Sequence, residues 1–208
     1  MVADAKMVDI FSANNCRGLT NKMVYTRHID LLPAPKIELV AGFPMTDVWE
    51  RVNSPSLTYG MRELLFLLIH KKLPVKERLY SINLANDSFC DICSEALQVN
   101  EVCDVEHYFC SFLRVSAAWS CLKSVIMNLV NANISDRSLL TLNFPKSAFT
   151  NEVTWIMGAY THYVWSSIQV EGTGSIERKK LFGYLKFKYK ACQIGSRLPL
   201  NLQCDVFD

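Results

Sequence analysis

The spacing of apolar residues along the chain predicts a succession of helices. From Thr58 to Lys72, TYGMRELLFLLIHKK groups Leu64, Leu65, Leu67, Leu68 and Ile69 in a block of helical length, behind a capping threonine and ahead of a stop at Pro74. So dense an apolar block implies a buried helix. VKERLYSI follows as a second, short helix. Further on, FLRVSAAWSCLKSVIMNLV places Leu122, Val125, Ile126, Leu129 and Val130 at spacings of three and four, with Trp119 one turn earlier, so that one stripe faces inward. NANISDRSLLTLNFPKS reads as a loop with a short ordered piece, ending at Pro145. NEVTWIMGAYTHYVWSSI then sets Val153, Ile156, Met157, Tyr160, Val164 and Ile168 on one helical face, with Asn151 as cap and Gly172 and Gly174 as the stop. IERKKLFGYLKFKYKAC is helical through Leu181, Leu185 and Tyr189, although KFKYK by itself alternates as a strand would.

The first 57 residues lack such a pattern. Pro33, Pro35, Pro44 and Pro55 break them up, and only DVWERV, at 47–52, suggests a single helical turn, anchored by Trp49. The expected architecture is therefore mainly α: an irregular N-terminal connector over 1–57, a helical segment over 58–130 built around a small zinc-knuckle-like loop, and a helical continuation over 131–208 that ends in a basic segment.

Composition narrows the class. A chain of 208 residues is long enough for one sizeable core, and with half its residues hydrophobic and a fifth charged it is globular. The net charge of +2 gives no general attraction for nucleic acid, so any such case rests on local clustering. LLFLLIH falls far short of the roughly 20 residues of a membrane span, and MVADAKMVDIFSANN has no apolar run of leader length. The expectation is an intracellular protein, nuclear or cytoplasmic, with reduced thiols and no membrane partner.

Chemistry concentrates in FCDICSEALQVNEVCDVEHYFC, Phe89 to Cys110, which holds four of the eight cysteines and one of the four histidines. Zinc is commonly held by a C-x2-C knuckle and two ligands from a later segment that folds back. Cys90 and Cys93 form such a knuckle, and the later segment offers His107 and Cys110, with Cys103 as a substitute candidate. Asp91, Glu101, Asp104 and Glu106 supply carboxylates able to orient His107 through its second ring nitrogen. The competing reading is a set of unconnected buried thiols, since cysteine is among the most buried residue types.

The order of these pieces resembles the zinc-binding segment that follows the polymerase domain in reverse transcriptases of non-long-terminal-repeat retrotransposons. The matching elements are Leu73-Pro74, Leu79, Cys90, Cys93, the Glu106-His107-Tyr108-Phe109 run and Trp119, within about residues 57 to 122. In that family the last cysteine lies five positions after the histidine, where this chain has Phe112. The fourth ligand is thus left open between Cys110 and Cys103. The resemblance implies a detached C-terminal part of such an enzyme, with RNA or DNA as partner.

Nothing in the chain supplies a reaction. There is no adjacent Asp-Asp pair, nucleophile elbow, phosphate-cradling Gly-rich loop or His-Glu-x-x-His pair, and His28 and His162 are lone histidines. The expectation is a non-catalytic protein without a small-molecule substrate. Near the C-terminus, Arg178, Lys179, Lys180, Lys186, Lys188 and Lys190 stand against Glu177 alone, interleaved with Phe182, Tyr184, Phe187 and Tyr189. Lysines that neutralise phosphates beside rings that stack on bases make a grip for single-stranded nucleic acid; the same pattern also describes an amphipathic helix with core aromatics and solvated lysines. The alternative function is accordingly a helical protein-interaction domain with a vestigial metal site.

Overall fold

Capping residues and apolar spacing set where the helices begin and end. The computed structural model describes residues 45–171 and 176–194. Most of the expected connector, with His28, Pro33, Pro35 and Pro44, lies outside the described residues, as does the expected stop at Gly172 and Gly174. Among the described residues the chain forms α1 (Thr46–Val52), α2 (Tyr59–Ile69), α3 (Lys76–Ser81), α4 (Asp91–Leu97), a π-helical turn (His107–Ser111), α5 (Ser116–Val130), α6 (Asp136–Leu140), α7 (Thr150–Glu171) and α8 (Arg178–Ile194). The mainly helical class is as expected. Among the described residues one antiparallel bridge, Phe89 with Val102, interrupts it.

Local rules account for most boundaries. Thr58 caps α2 by accepting the Met61 N–H at 3.4 Å. The helix stops before Pro74, because Lys71 takes φ 52° and the N–H groups of Lys71 and Lys72 turn back onto Leu68 and Leu67 at 3.0 and 2.7 Å. This closure needs a left-handed residue, and here a lysine occupies the position where glycine is usual. Ser135 caps α6 inside the predicted loop, accepting the Ser138 N–H at 3.1 Å. The stripe on α5 is graded: Trp119, Leu122 and Ile126 are buried, while Val125, Leu129 and Val130 are half-buried.

α7 departs from its expected single face. Residues 152–161 are buried without a break, so the helix runs through the core instead of along it. Trp155 meets Tyr189 of α8 with ring centroids 5.4 Å apart, and Tyr160 meets Trp119 of α5 at 5.1 Å. On the α2 side stands Gly158, where an added Cβ would lie 2.6 Å from Leu57 Cδ2 and 3.5 Å from Met61 Cβ. That close approach explains a glycine in mid-helix. Polar side chains on so buried a helix bond to its own carbonyls: Thr154 donates to Thr150 O at 2.7 Å and Thr161 to Met157 O at 2.9 Å. Asn151 lies inside the first turn; the hydrogen bonds ahead of it are made by Ser147 and Thr150.

The end of the expected connector belongs to this core. Met45, Val48, Val52 and Leu57 are buried, and the Arg51 guanidinium lies 4.2 Å over the Phe144 ring and donates to the Leu142 carbonyl. Trp49 anchors α1 as expected, with its ring 5.9 Å from Phe66 and 5.5 Å from His70. Seven residues are too few to display a helical stripe, which is why α1 was invisible as a core element. α7 touches α1, α2, α6 and α8, so residues on both sides of position 130 share one packed unit.

Tyr160 donates its hydroxyl to the carbonyl of Phe109 in the π-helical turn, both groups being buried. Tyr160→Phe should lower unfolding stability by about 1–2 kcal/mol, since it strands a buried acceptor. Urea denaturation checks this, and an unchanged midpoint would show that the bond contributes nothing.

Candidate metal centre and basic helix

Two short segments meet to make the centre. Residues 88–90 run antiparallel to 101–103, joined by Cys90 N–H to Glu101 O and Cys103 N–H to Ser88 O, both at 2.8 Å. This ribbon holds Cys90 at the start of α4, and one turn of helix brings Cys93 to the same side. His107 arrives from the π-helical turn, whose start is fixed by Asp104 accepting the His107 N–H at 2.6 Å. Lys76 braces the outside, 2.9 Å from Asp87 and 2.5 Å from Asp91.

Cys90 Sγ, Cys93 Sγ and a ring nitrogen of His107 lie within 4.8 Å of one another, and all three residues are buried. This group could hold a metal ion. Cys93 Sγ is 3.5 Å from His107 Nε2. On the other side of the ring, Nδ1 lies 2.9 Å from Glu101 Oε2 and 3.1 Å from Ser111 Oγ. With Nδ1 held between Glu101 and Ser111, the ring is oriented so that Nε2 faces Cys93. Of the four carboxylates foreseen for orienting His107, the ring therefore takes Glu101, while Asp104 holds the backbone.

Neither open candidate for a fourth ligand joins the three-donor group. Cys110 does not join the group, although it is buried. The reason is the π register: Phe112 N–H bonds His107 O at 2.7 Å, five residues back, so the turn takes more than the 3.6 residues of an α-helix. A side chain three positions after His107 then falls short of its face. Ser111 and Phe112 return to it, the Phe112 ring centroid lying 5.8 Å from that of His107. Burial pushes the Cys110 thiol far up, and the negative charges of Asp136 and Glu106 add to the rise. Cys103 is half-buried and sits in the ribbon that carries Cys90, its N–H bonded to Ser88 O at 2.8 Å.

Burial raises the Cys93 thiol, and raises that of Cys103 to about 11. Both are protonated in the free protein, so taking up a metal releases protons. The backbone N–H of Leu113 works against that rise at Cys93, an influence with no side-chain signature and hence none visible in sequence. One residue on, the carbonyl of Arg114 accepts the N–H of Ile176 at 2.8 Å, two residues before α8. The start of the basic helix is therefore hydrogen-bonded to the segment that follows the π-helical turn.

On α8, Leu181, Phe182, Leu185 and Tyr189 face the core, Tyr184 is half-buried against Tyr163, and Phe187 is exposed. Arg178, Lys179, Lys180, Lys188 and Lys190 are exposed, while Lys186 is half-buried. The strand alternative for KFKYK does not arise. His162 is half-buried beside Gly60, its Nε2 standing 3.2 Å from where a Cβ would be built. No family model, no curated protein and no solved structure matches the chain.

Replacing Glu101 by Ala should weaken metal affinity about 10–100-fold while leaving the three donor side chains in place. Competition with a chromophoric chelator measures it. An unaltered affinity would mean that the carboxylate does not orient the ring.

Proposed function

We propose that the chain is a non-catalytic zinc module that engages nucleic acid, of the kind found downstream of the reverse transcriptase domain in non-long-terminal-repeat retrotransposons. The observation that carries this reading is the convergence of Cys90, Cys93 and His107 with Glu101 on the far nitrogen of the ring. Two thiols and an imidazole suit zinc, and in a tetrahedron with metal bonds near 2.0–2.3 Å neighbouring donor atoms lie about 3.5–3.8 Å apart. The 3.5 Å between Cys93 Sγ and His107 Nε2 already matches such an edge. Cys103 closes the site as fourth ligand by turning its thiol towards the ion. Phe112 fills the position that carries the last cysteine in the resembling family, and gives an apolar cover instead of a bond.

Four protein ligands leave no open coordination position, so the zinc is structural and stabilises the fold outright. What it stabilises includes the 113–114 segment, and through Arg114 and Ile176 the start of α8. The exposed lysines of that helix would meet phosphates. RNA or DNA is the partner on this reading, with no small-molecule substrate.

A second reading has an observation of its own. Ile82, Leu84, Phe89, Leu97, Val99 and Val102 are all exposed within the knuckle segment, and apolar exposure of this kind also suits a protein-interaction surface. Salt separates the two, because phosphate contacts weaken steeply as salt rises and apolar interfaces respond little.

Elemental mass spectrometry of the purified protein should find about one zinc per chain, retained in Cys110→Ser and lost or greatly reduced in Cys103→Ser. A chelator should lower the melting temperature of the wild-type protein. Loss of zinc in Cys110→Ser with retention in Cys103→Ser would reverse the assignment, and a zinc-free wild type would remove the metal from the proposal.

A further inference from the structure

Helical geometry places Lys180, Gly183, Phe187 and Lys190 on one side of α8, opposite the buried Leu181, Phe182, Leu185 and Tyr189. The face has a distinct composition. Phe187 is 70 % exposed, whereas Phe182 is 7 % and Tyr189 0 % exposed. One turn before it, Gly183 carries no side chain, and a Cβ there would meet nothing within 4 Å. The ring therefore stands beside a bare stretch of backbone open to solvent. Lys180 and Lys190 straddle it, about 15 Å apart along the axis. Lys180 shares a 3.3 Å ion pair with Glu177, but both side chains are well exposed and such a pair is readily exchanged. Neighbouring rings are already engaged: Tyr184 packs on Tyr163 at 4.7 Å and has the Lys188 ammonium 5.7 Å from its centroid.

We propose that this face grips a single strand: Phe187 stacks on an unpaired base over the shelf left by Gly183, while Lys180 and Lys190 neutralise the phosphates on either side. The inference rests on the nucleic-acid reading above and adds to it the class of substrate and the residue that selects it. A paired base hides its faces in the stack, so a duplex meets the lysines and not the ring. Stacking tolerates any base, so the face grips without reading sequence.

Fluorescence anisotropy with a labelled oligouridylate, an oligothymidylate and a duplex of mixed sequence tests the assignment. Phe187→Ala should weaken both single strands by roughly tenfold and leave the duplex unchanged, and Phe187→Trp should restore the loss. Lys180→Glu with Lys190→Glu should weaken all three ligands and flatten their salt dependence. Because Phe187 is exposed, its variants keep the wild-type melting curve, which separates the effect from unfolding. If Phe187→Ala binds single strands as the wild type does while the lysine variants lose affinity, stacking is wrong and phosphate contact stands. If neither single strand nor duplex binds the wild type at low salt, the nucleic-acid reading itself fails.

Discussion

The burial of α7 on every side is the constraint from which the rest follows. A helix that meets water along one face needs a single packing partner, but the ten residues 152–161 need partners all round. α2 approaches at Gly158, α8 at Trp155 and α5 at Tyr160. Each contact decides the position of an element that could not place itself. α1 and α6 are too short to be stable alone, and they are ordered because they cover the remaining sides.

Tyr160 carries that constraint to the metal centre. Its hydroxyl bonds to the Phe109 carbonyl, and the turn it reaches is wound as a π-helix. Widened turns of this kind recur at functional sites because they re-aim side chains. Here the register sends His107 towards Cys90 and Cys93, returns Phe112 to the ring, and leaves Cys110 buried outside the group. From the same segment, the Arg114 carbonyl holds the N–H of Ile176. Core packing, the candidate metal site and the placement of the basic helix are consecutive steps along residues 107–114.

Much of this was legible from residue types alone. Thr58, the α5 stripe and the alternation of apolar and basic positions in α8 are local patterns, and local hydrogen bonds and helical periodicity decide them. The C-x2-C knuckle and His107 were legible for the same reason, since two of the three donors are one helical turn apart and the third follows in a compact segment. The single face expected of α7 was too narrow, because period alone does not reveal how many neighbours a helix will have. The stop at Pro74 came late, because the left-handed turn at Lys71 has no glycine to announce it.

By itself the sequence determined that the chain is helical, where thiols and imidazole concentrate and which helix is basic. Those properties follow from nearest neighbours along the chain. Only the tertiary structure decided that Cys110 stays outside the group formed by Cys90, Cys93 and His107, that Glu101 and not its acidic neighbours takes the His107 ring, and that Phe187 alone among the rings of α8 is left largely in water. A one-residue widening of a turn, or the side from which a helix is approached, rotates a side chain by a large part of a circle. Only packing against distant segments selects among those rotations.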